Sequence, residues 1–89
     1  MNKEKEEVNN DTKQLEIGII GGGHIGTELF KIFGKMDCIN VNYIADKSRE
    51  APGMKLARDK KVKATTDIMD IIKDSSLDLI LEVTGSSQV

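Results

Sequence analysis

Apolar residues change period several times along the chain, and each change marks an element. Leu15–Ile20 is a short, isoleucine-rich run that stops at glycine, which is the length and composition of a buried strand. From His24 to about Lys35 the period lengthens. Ile25, Leu29, Ile32 and Phe33 fall at i, i+4, i+7 and i+8, which predicts a helix with those four residues inward and Gly34 weakening its end. Cys38–Ala45 returns to strand character, with Ile39, Val41 and Tyr43 alternating ahead of Ile44 and Ala45. Ser48–Gly53 reads as a loop or helix start, where Pro52 suits a first helical turn. Met54, Leu56 and Ala57 carry that helix to the Asp59-Lys60-Lys61 run, and Val62–Ala64 is at best a brief strand. Thr66 or Asp67 can cap a helix through Lys73, with Ile68, Ile71 and Ile72 inward. Leu77–Val83 is the last strand, apolar on both faces through Leu79, Ile80 and Leu81, and it runs into Thr84-Gly85.

The order β-α-β-α-β-α-β predicts an α/β fold with a parallel sheet and right-handed crossovers. The expected strand order is 3-2-1-4, the first half of a doubly wound sheet plus one strand of the second. Such a unit is truncated relative to a full six-stranded domain. A fourth strand apolar on both faces, with no following helix over it, predicts an open edge that pairs with a second chain. The expected assembly is a homodimer across Leu77–Val83, or aggregation if the rest of the sheet was cut away. Eighty-nine residues allow one domain. Within residues 1–14 the segments K-E-K-E-E and D-T-K dominate, and Val8 is the sole apolar residue after Met1. That stretch is expected to be a disordered polar tail, which leaves 15–89 for the folded domain.

Composition narrows the partners. Net charge is −2 with both signs interspersed and aromatics are 3%, so there is no basic stripe and no stacking platform for nucleic acid. The tail alternates in sign, which argues against a membrane-surface anchor. No apolar run approaches the roughly 20 residues needed to span a bilayer, and no signal-peptide pattern opens the chain. The single cysteine, Cys38, excludes an internal disulfide and fits a reducing compartment, so a cytoplasmic location is expected. Cys38 itself reads as a small core residue. No grouping of His, Cys, Asp and Glu has metal-ligand spacing.

The chemistry concentrates in Ile17–Gly26, I-G-I-I-G-G-G-H-I-G, where an apolar run breaks into G-x-G-x-x-G with glycines at Gly21, Gly23 and Gly26. A strand that ends in such a turn and restarts as a helix aims backbone N–H groups at one spot. There the helix dipole and unpaired donors suit a pyrophosphate. Gly21 would make the tight turn, Gly23 would let the backbone approach the pyrophosphate, and Gly26 would allow close packing of helix on strand. Gly22 is a fourth glycine at a variable position. His24 and Ile25, between Gly23 and Gly26, are grouped with the cofactor-contacting positions. For His24, the one histidine, an exposed helix-start position is the plainer reading. No catalytic role is assigned to it, because the loop faces phosphates rather than the nicotinamide.

Asp46 lies twenty residues beyond Gly26, at the end of the second strand. A carboxylate there can accept hydrogen bonds from the adenosine ribose hydroxyls and would repel a 2′-phosphate, which favours NAD over NADP. Lys47 and Arg49 stand close by and soften that preference, since an arginine can pair with a phosphate. Thr84 and Gly85 end the fourth strand at the carboxyl edge, where ligands sit in open α/β sheets. Glu82 precedes them and reads as an exposed edge residue unless it is buried and paired.

With Y-I-A-D at the second strand and L-D-L-I-L-E-V-T-G at the fourth, residues 15–85 resemble the amino-terminal Rossmann domain of NAD(P)-dependent oxidoreductases. The nearest groups are the glucose–fructose oxidoreductase/inositol dehydrogenase type and the aspartate and homoserine dehydrogenases. E-V-T-G at Glu82–Gly85 is also similar to the fourth-strand segment of glyceraldehyde-phosphate dehydrogenases. A-P-G at Ala51–Gly53 looks like stand-alone Rossmann modules fused to bacterial signalling proteins. The resemblance implies cofactor roles for Gly21, Gly23, Gly26 and Asp46, and more loosely for Thr84 and Gly85. It implies nothing catalytic, since those families place their acid/base groups beyond the matching segment. The expectation is a dinucleotide-binding unit of an oxidoreductase whose catalytic or signalling part is missing or fused elsewhere. The alternative is a non-enzymatic module that senses NAD(H).

Overall fold

A computed structural model describes residues 14–84. Of the expected tail over residues 1–14, all but Gln14 lies outside them, as does the site position Gly85. The elements are β1 (Leu15–Ile20), α1 (His24–Phe33), β2 (Ile39–Ala45), α2 (Pro52–Asp59), β3 (Lys63–Thr65), α3 (Met69–Ile72) and β4 (Leu79–Glu82). The four strands form one parallel sheet in the order β3-β2-β1-β4, as the alternation of elements predicts. Its central strands are the most buried ones. Ile17, Ile19 and Ile44 are almost wholly buried, and the short strands β3 and β4 flank them.

The two faces carry different cores. On one face Ile17, Ile19, Val41 and Ile44 pack against Phe30 of α1 and Met54 and Ala57 of α2. On the other, Ile20, Ala45 and Tyr43 pack with Ile71 of α3 and Leu77. The predicted alternation of Ile39, Val41 and Tyr43 breaks at Tyr43, which faces the second core. Register explains it. Ile17 stands opposite Val41 and Gly18 opposite Tyr43, so Asn42 is an extra residue in β2. A bulge inverts the parity of the strand beyond it, so Val41 and Ile44, three apart in sequence, share one face.

Three helical or strand expectations are corrected. The inward side of α1 is Gly26, Thr27 and Phe30, with Leu29 and Phe33 at its margin, while Ile25 and Ile32 are each 53% exposed. Hydrophobic counting cannot find this phase because the inward residues of the first turn are glycine and threonine. Helix α3 is a four-residue turn and buries only Ile71, leaving Ile68 and Ile72 exposed. The Asp67 carboxylate still accepts the Met69 N–H at 3.0 Å, but the chain turns back toward β4 too soon for a longer helix. Cys38 is exposed rather than in the core, because it lies in the turn ahead of β2 and contributes its carbonyl to the Leu15 N–H at 2.8 Å.

Among the described residues strand β4 pairs only with β1 and stands at the edge of the sheet. Leu79 and Ile80 are 44% and 38% exposed. Its start is pinned to β1 by two bonds, Asp78 N–H to the Glu16 carbonyl at 2.7 Å and Glu16 N–H to the Asp78 carboxylate at 2.8 Å. The segment between α3 and β4 is tied to the sheet by the Tyr43 hydroxyl, which donates to Asp74 Oδ2 at 2.8 Å, while Lys63 Nζ lies 5.4 Å from the Tyr43 ring centre. Bonds from the Ser76 hydroxyl and backbone, then from Tyr43, hold the Asp74 carboxyl below its ordinary 3.8. The same contact raises the Tyr43 phenol above 10.0.

Ile71→Ala should cost about 2–4 kcal/mol in a urea melt, because it removes a fully buried side chain. Ile72→Ala, next to it but exposed, should stay within about 0.5 kcal/mol; equal losses would contradict the placement of α3. A carboxyl depressed in the folded state stabilises above its unfolded value, and that contribution fades as pH falls through the folded value. Asp74→Asn should therefore flatten the acid limb of stability below about pH 4. Parallel wild-type and variant curves in urea midpoints against pH would show that the bond contributes nothing.

Candidate functional site

The carboxyl end of β1 and the start of α1 are shaped by contacts that a side chain would destroy. Gly21 has φ of +120°, and a Cβ there would lie 2.8 Å from the carbonyl carbon and oxygen of Val83. A Cβ on Gly26 would lie 1.7 Å from the Gly21 carbonyl oxygen, inside any possible contact. The tight-turn and close-packing roles expected of Gly21 and Gly26 thus have direct steric counterparts. Gly23 differs. A Cβ on it would meet nothing within 4 Å, so its side of the loop is open.

Gly23 is also the N-cap of α1, and no side chain caps that helix. Among the described residues the N–H groups of Gly23, His24 and Ile25 have no acceptor. Unpaired N–H donors at the start of a ten-residue helix, beside an open glycine, fit an anion. His24 and Ile25 are exposed there. Their backbones belong to the donor group, while the Ile25 side chain does not face the core.

Asp46 follows β2 directly, and its backbone N–H is held by the Thr65 carbonyl at 3.1 Å. Its half-buried carboxylate accepts the Gly22 N–H at 2.8 Å on Oδ2 and the Ser48 N–H at 2.9 Å on Oδ1. Each carboxylate oxygen has a second lone pair, so these bonds fix the group and leave it able to accept hydroxyls. Beside it a cavity of about 290 Å³ is lined by Arg49, Met54, Arg58, Ala64, Thr65 and Thr66. Arg49 is exposed, and its carbonyl accepts from the Arg58 guanidinium at 3.0 Å. The larger cavity, about 600 Å³, opens at the other end of the sheet near Gln14, Met36 and Ile39, and it shares no residue with the glycine loop.

Thr84 lies beside the loop, because β4 leaves the sheet across Gly21. The Val83 N–H reaches the Ile20 carbonyl at 2.8 Å, and the Thr84 N–H is 3.0 Å from where a Gly21 Cβ would stand. The Thr84 hydroxyl donates to Glu82 Oε2 at 2.5 Å, with both residues exposed. The fold therefore brings Gly21, Gly23, His24, Ile25, Gly26, Asp46 and Thr84 to one edge.

Sequence reasoning missed the residues behind the loop. Gly22, set aside as a variable position, is its most connected member. Its N–H meets Asp46, and its carbonyl accepts the Gly53 N–H at 2.8 Å and the Thr27 hydroxyl at 3.2 Å. Thr27 is the one buried polar residue of the described chain. A threonine one place beyond the last motif glycine and a glycine after Pro52 were the available signals.

Gly26→Ala should cost about 3 kcal/mol or more, or prevent folding, since its methyl has nowhere to go. Gly23→Ala should melt within about 1 kcal/mol of wild type by thermal denaturation, because that site is open. Equal sensitivity at the two positions would contradict the close approach at Gly26.

Among the described residues no helix is long and apolar enough to cross a membrane. No family model matches the chain. Over 80 residues, 88% of its length, the chain is 24% identical to an acetaldehyde dehydrogenase of Burkholderia thailandensis. It spans 27% of that relative's length. The sheet order and this distant similarity to an oxidoreductase agree on an α/β, Rossmann-like domain.

Proposed function

We propose that this domain binds a nicotinamide dinucleotide, NAD(H) in preference to NADP(H), and serves an oxidoreductase. The observation that carries the reading is the uncapped start of α1 beside the open Gly23, with the Asp46 carboxylate fixed 2.8 Å from the loop's Gly22 N–H. In this reading the N–H groups of Gly23, His24 and Ile25 hold the pyrophosphate. Asp46 accepts the adenosine ribose hydroxyls, and Thr84 with Gly85 borders the nicotinamide side. When bound, the dinucleotide supplies hydride transfer. The chain's own residues bind and orient it, and none is assigned as a catalytic acid or base. The relative named for acetaldehyde dehydrogenation supports hydride transfer as the chemistry served. A cytoplasmic location and a homodimer through the open β4 edge belong to the same proposal.

Carboxylate placement supports the proposed preference for NAD(H). A 2′-phosphate near Asp46 would meet a negative charge already engaged by two backbone N–H groups, while Arg49 and Arg58 line the neighbouring cavity. Titration with NADH and NADPH, followed by nicotinamide fluorescence, should show NADH binding more tightly. Asp46→Ala should weaken NADH by about 1.5–3 kcal/mol, the worth of hydrogen bonds to a charged acceptor. No response to either dinucleotide would overturn the reading, and a preference for NADPH would overturn the role of Asp46.

A further inference from the structure

Helix α2 docks its first turn onto the glycine loop. Pro52 opens α2 and has no N–H, so the Gly53 N–H is the first donor this helix can offer. It is given to the Gly22 carbonyl at 2.8 Å. The hydroxyl of Thr27, buried on α1, stands between two loop carbonyls, 2.6 Å from that of Gly23 and 3.2 Å from that of Gly22. The approach leaves no room for a side chain at 53. A Cβ there would lie 2.9 Å from the Gly22 carbonyl oxygen, 2.9 Å from Ile44 Cδ1 and 3.0 Å from Thr27 Oγ1.

These contacts bear on what the loop shows to a ligand. The Gly22–Gly23 peptide is trans, so its C=O and N–H point in opposite directions. With the carbonyl drawn inward to α2 and Thr27, the Gly23 N–H is turned outward, on the side where a Gly23 Cβ would meet nothing. Glycine on both sides makes the opposite orientation of this peptide sterically accessible. In that orientation the Gly22 carbonyl would face the anion site and repel it. The Gly22 N–H cannot substitute, because Asp46 already takes it.

We propose that Gly53 and Thr27 are positioning residues, Gly53 holding the Gly22 carbonyl and Thr27 chiefly the Gly23 carbonyl, that lock the Gly22–Gly23 and Gly23–His24 peptides with their N–H groups toward the pyrophosphate, an inference that rests on the dinucleotide reading above. Neither touches the ligand. The start of α2 satisfies a loop carbonyl, and in return the loop presents a donor where an acceptor would repel the phosphates. The A-P-G segment, at least 25 positions along the chain from the loop residues Gly21–Gly26, thereby acts on affinity through backbone orientation alone.

The test measures ADP-ribose and NADH binding to the wild-type chain and to Thr27→Val, Thr27→Ser, Gly53→Ala and Ile71→Val, each well below its melting temperature. Thr27→Val and Gly53→Ala should weaken ADP-ribose about fivefold or more, the scale of one net hydrogen bond, and Thr27→Ser should restore wild-type affinity. Ile71→Val, in the core on the opposite face, should lower the melting temperature and leave affinity unchanged. If the wild type binds neither ligand, the dinucleotide reading falls and the lock with it. If the wild type binds and both Thr27→Val and Gly53→Ala bind equally well, the lock alone is overturned. A loss of the same size in Ile71→Val would also overturn it, since the effect would then be one of stability.

Discussion

The contact between Gly26 and the carbonyl of Gly21, too close for any Cβ, is the constraint from which the rest of the site follows. It brings the first turn of α1 down onto the end of β1, so the helix cannot rotate about its axis. That rotation puts Thr27 and Phe30 inward and sends Ile25 and Ile32 to the surface. A helix placed by its apolar residues alone would have turned the other way. Glycine at position 26 permits this approach, and in the phase it allows, Phe30 is buried while Ile25 and Ile32 stay at the surface.

From that anchor, hydrogen bonds join three elements at the carboxyl end of the sheet. Asp46 after β2 holds the Gly22 N–H, Gly53 of α2 holds the Gly22 carbonyl, and the Thr27 hydroxyl of α1 donates chiefly to the Gly23 carbonyl. Two helix N-termini converge on the same loop, and they are treated differently. The start of α2 finds a protein acceptor in Gly22, while the start of α1 has no side-chain cap and lies beside open space. The field at the end of α1 is therefore directed out of the molecule. That asymmetry is what the proposed binding role of the loop rests on.

The two faces of the sheet differ in the same way. One is covered by α1 and α2 and holds the larger core, whereas the other carries only the single turn of α3 and the Tyr43–Asp74 bond. The bulge at Asn42 makes this division possible, since it lets Val41 and Ile44 serve the larger core while Tyr43 and Ala45 serve the smaller. Leu79 and Ile80 at the edge stay partly exposed because β4 has one neighbour and little covering it among the described residues.

Much of this was legible in the order of residues. Strand and helix succession, with isoleucine-rich runs alternating with longer periods, carries the parallel sheet and its order, because short connections and right-handed crossovers leave few other arrangements. The close contacts at Gly21 and Gly26 and the position of Asp46 at the end of β2 were legible for a similar reason: each is local to a turn or a strand end. Tertiary structure decided what depends on distant partners. The phase of α1 follows from Gly26 meeting Gly21, the faces of β2 from a bulge set by its pairing with β1, and the short α3 from the return to β4. Gly22 and Gly53 were invisible as a pair because a backbone N–H and a carbonyl have the same chemistry at every position. Only the fold, by bringing residues 31 apart to 2.8 Å, gives that bond its meaning.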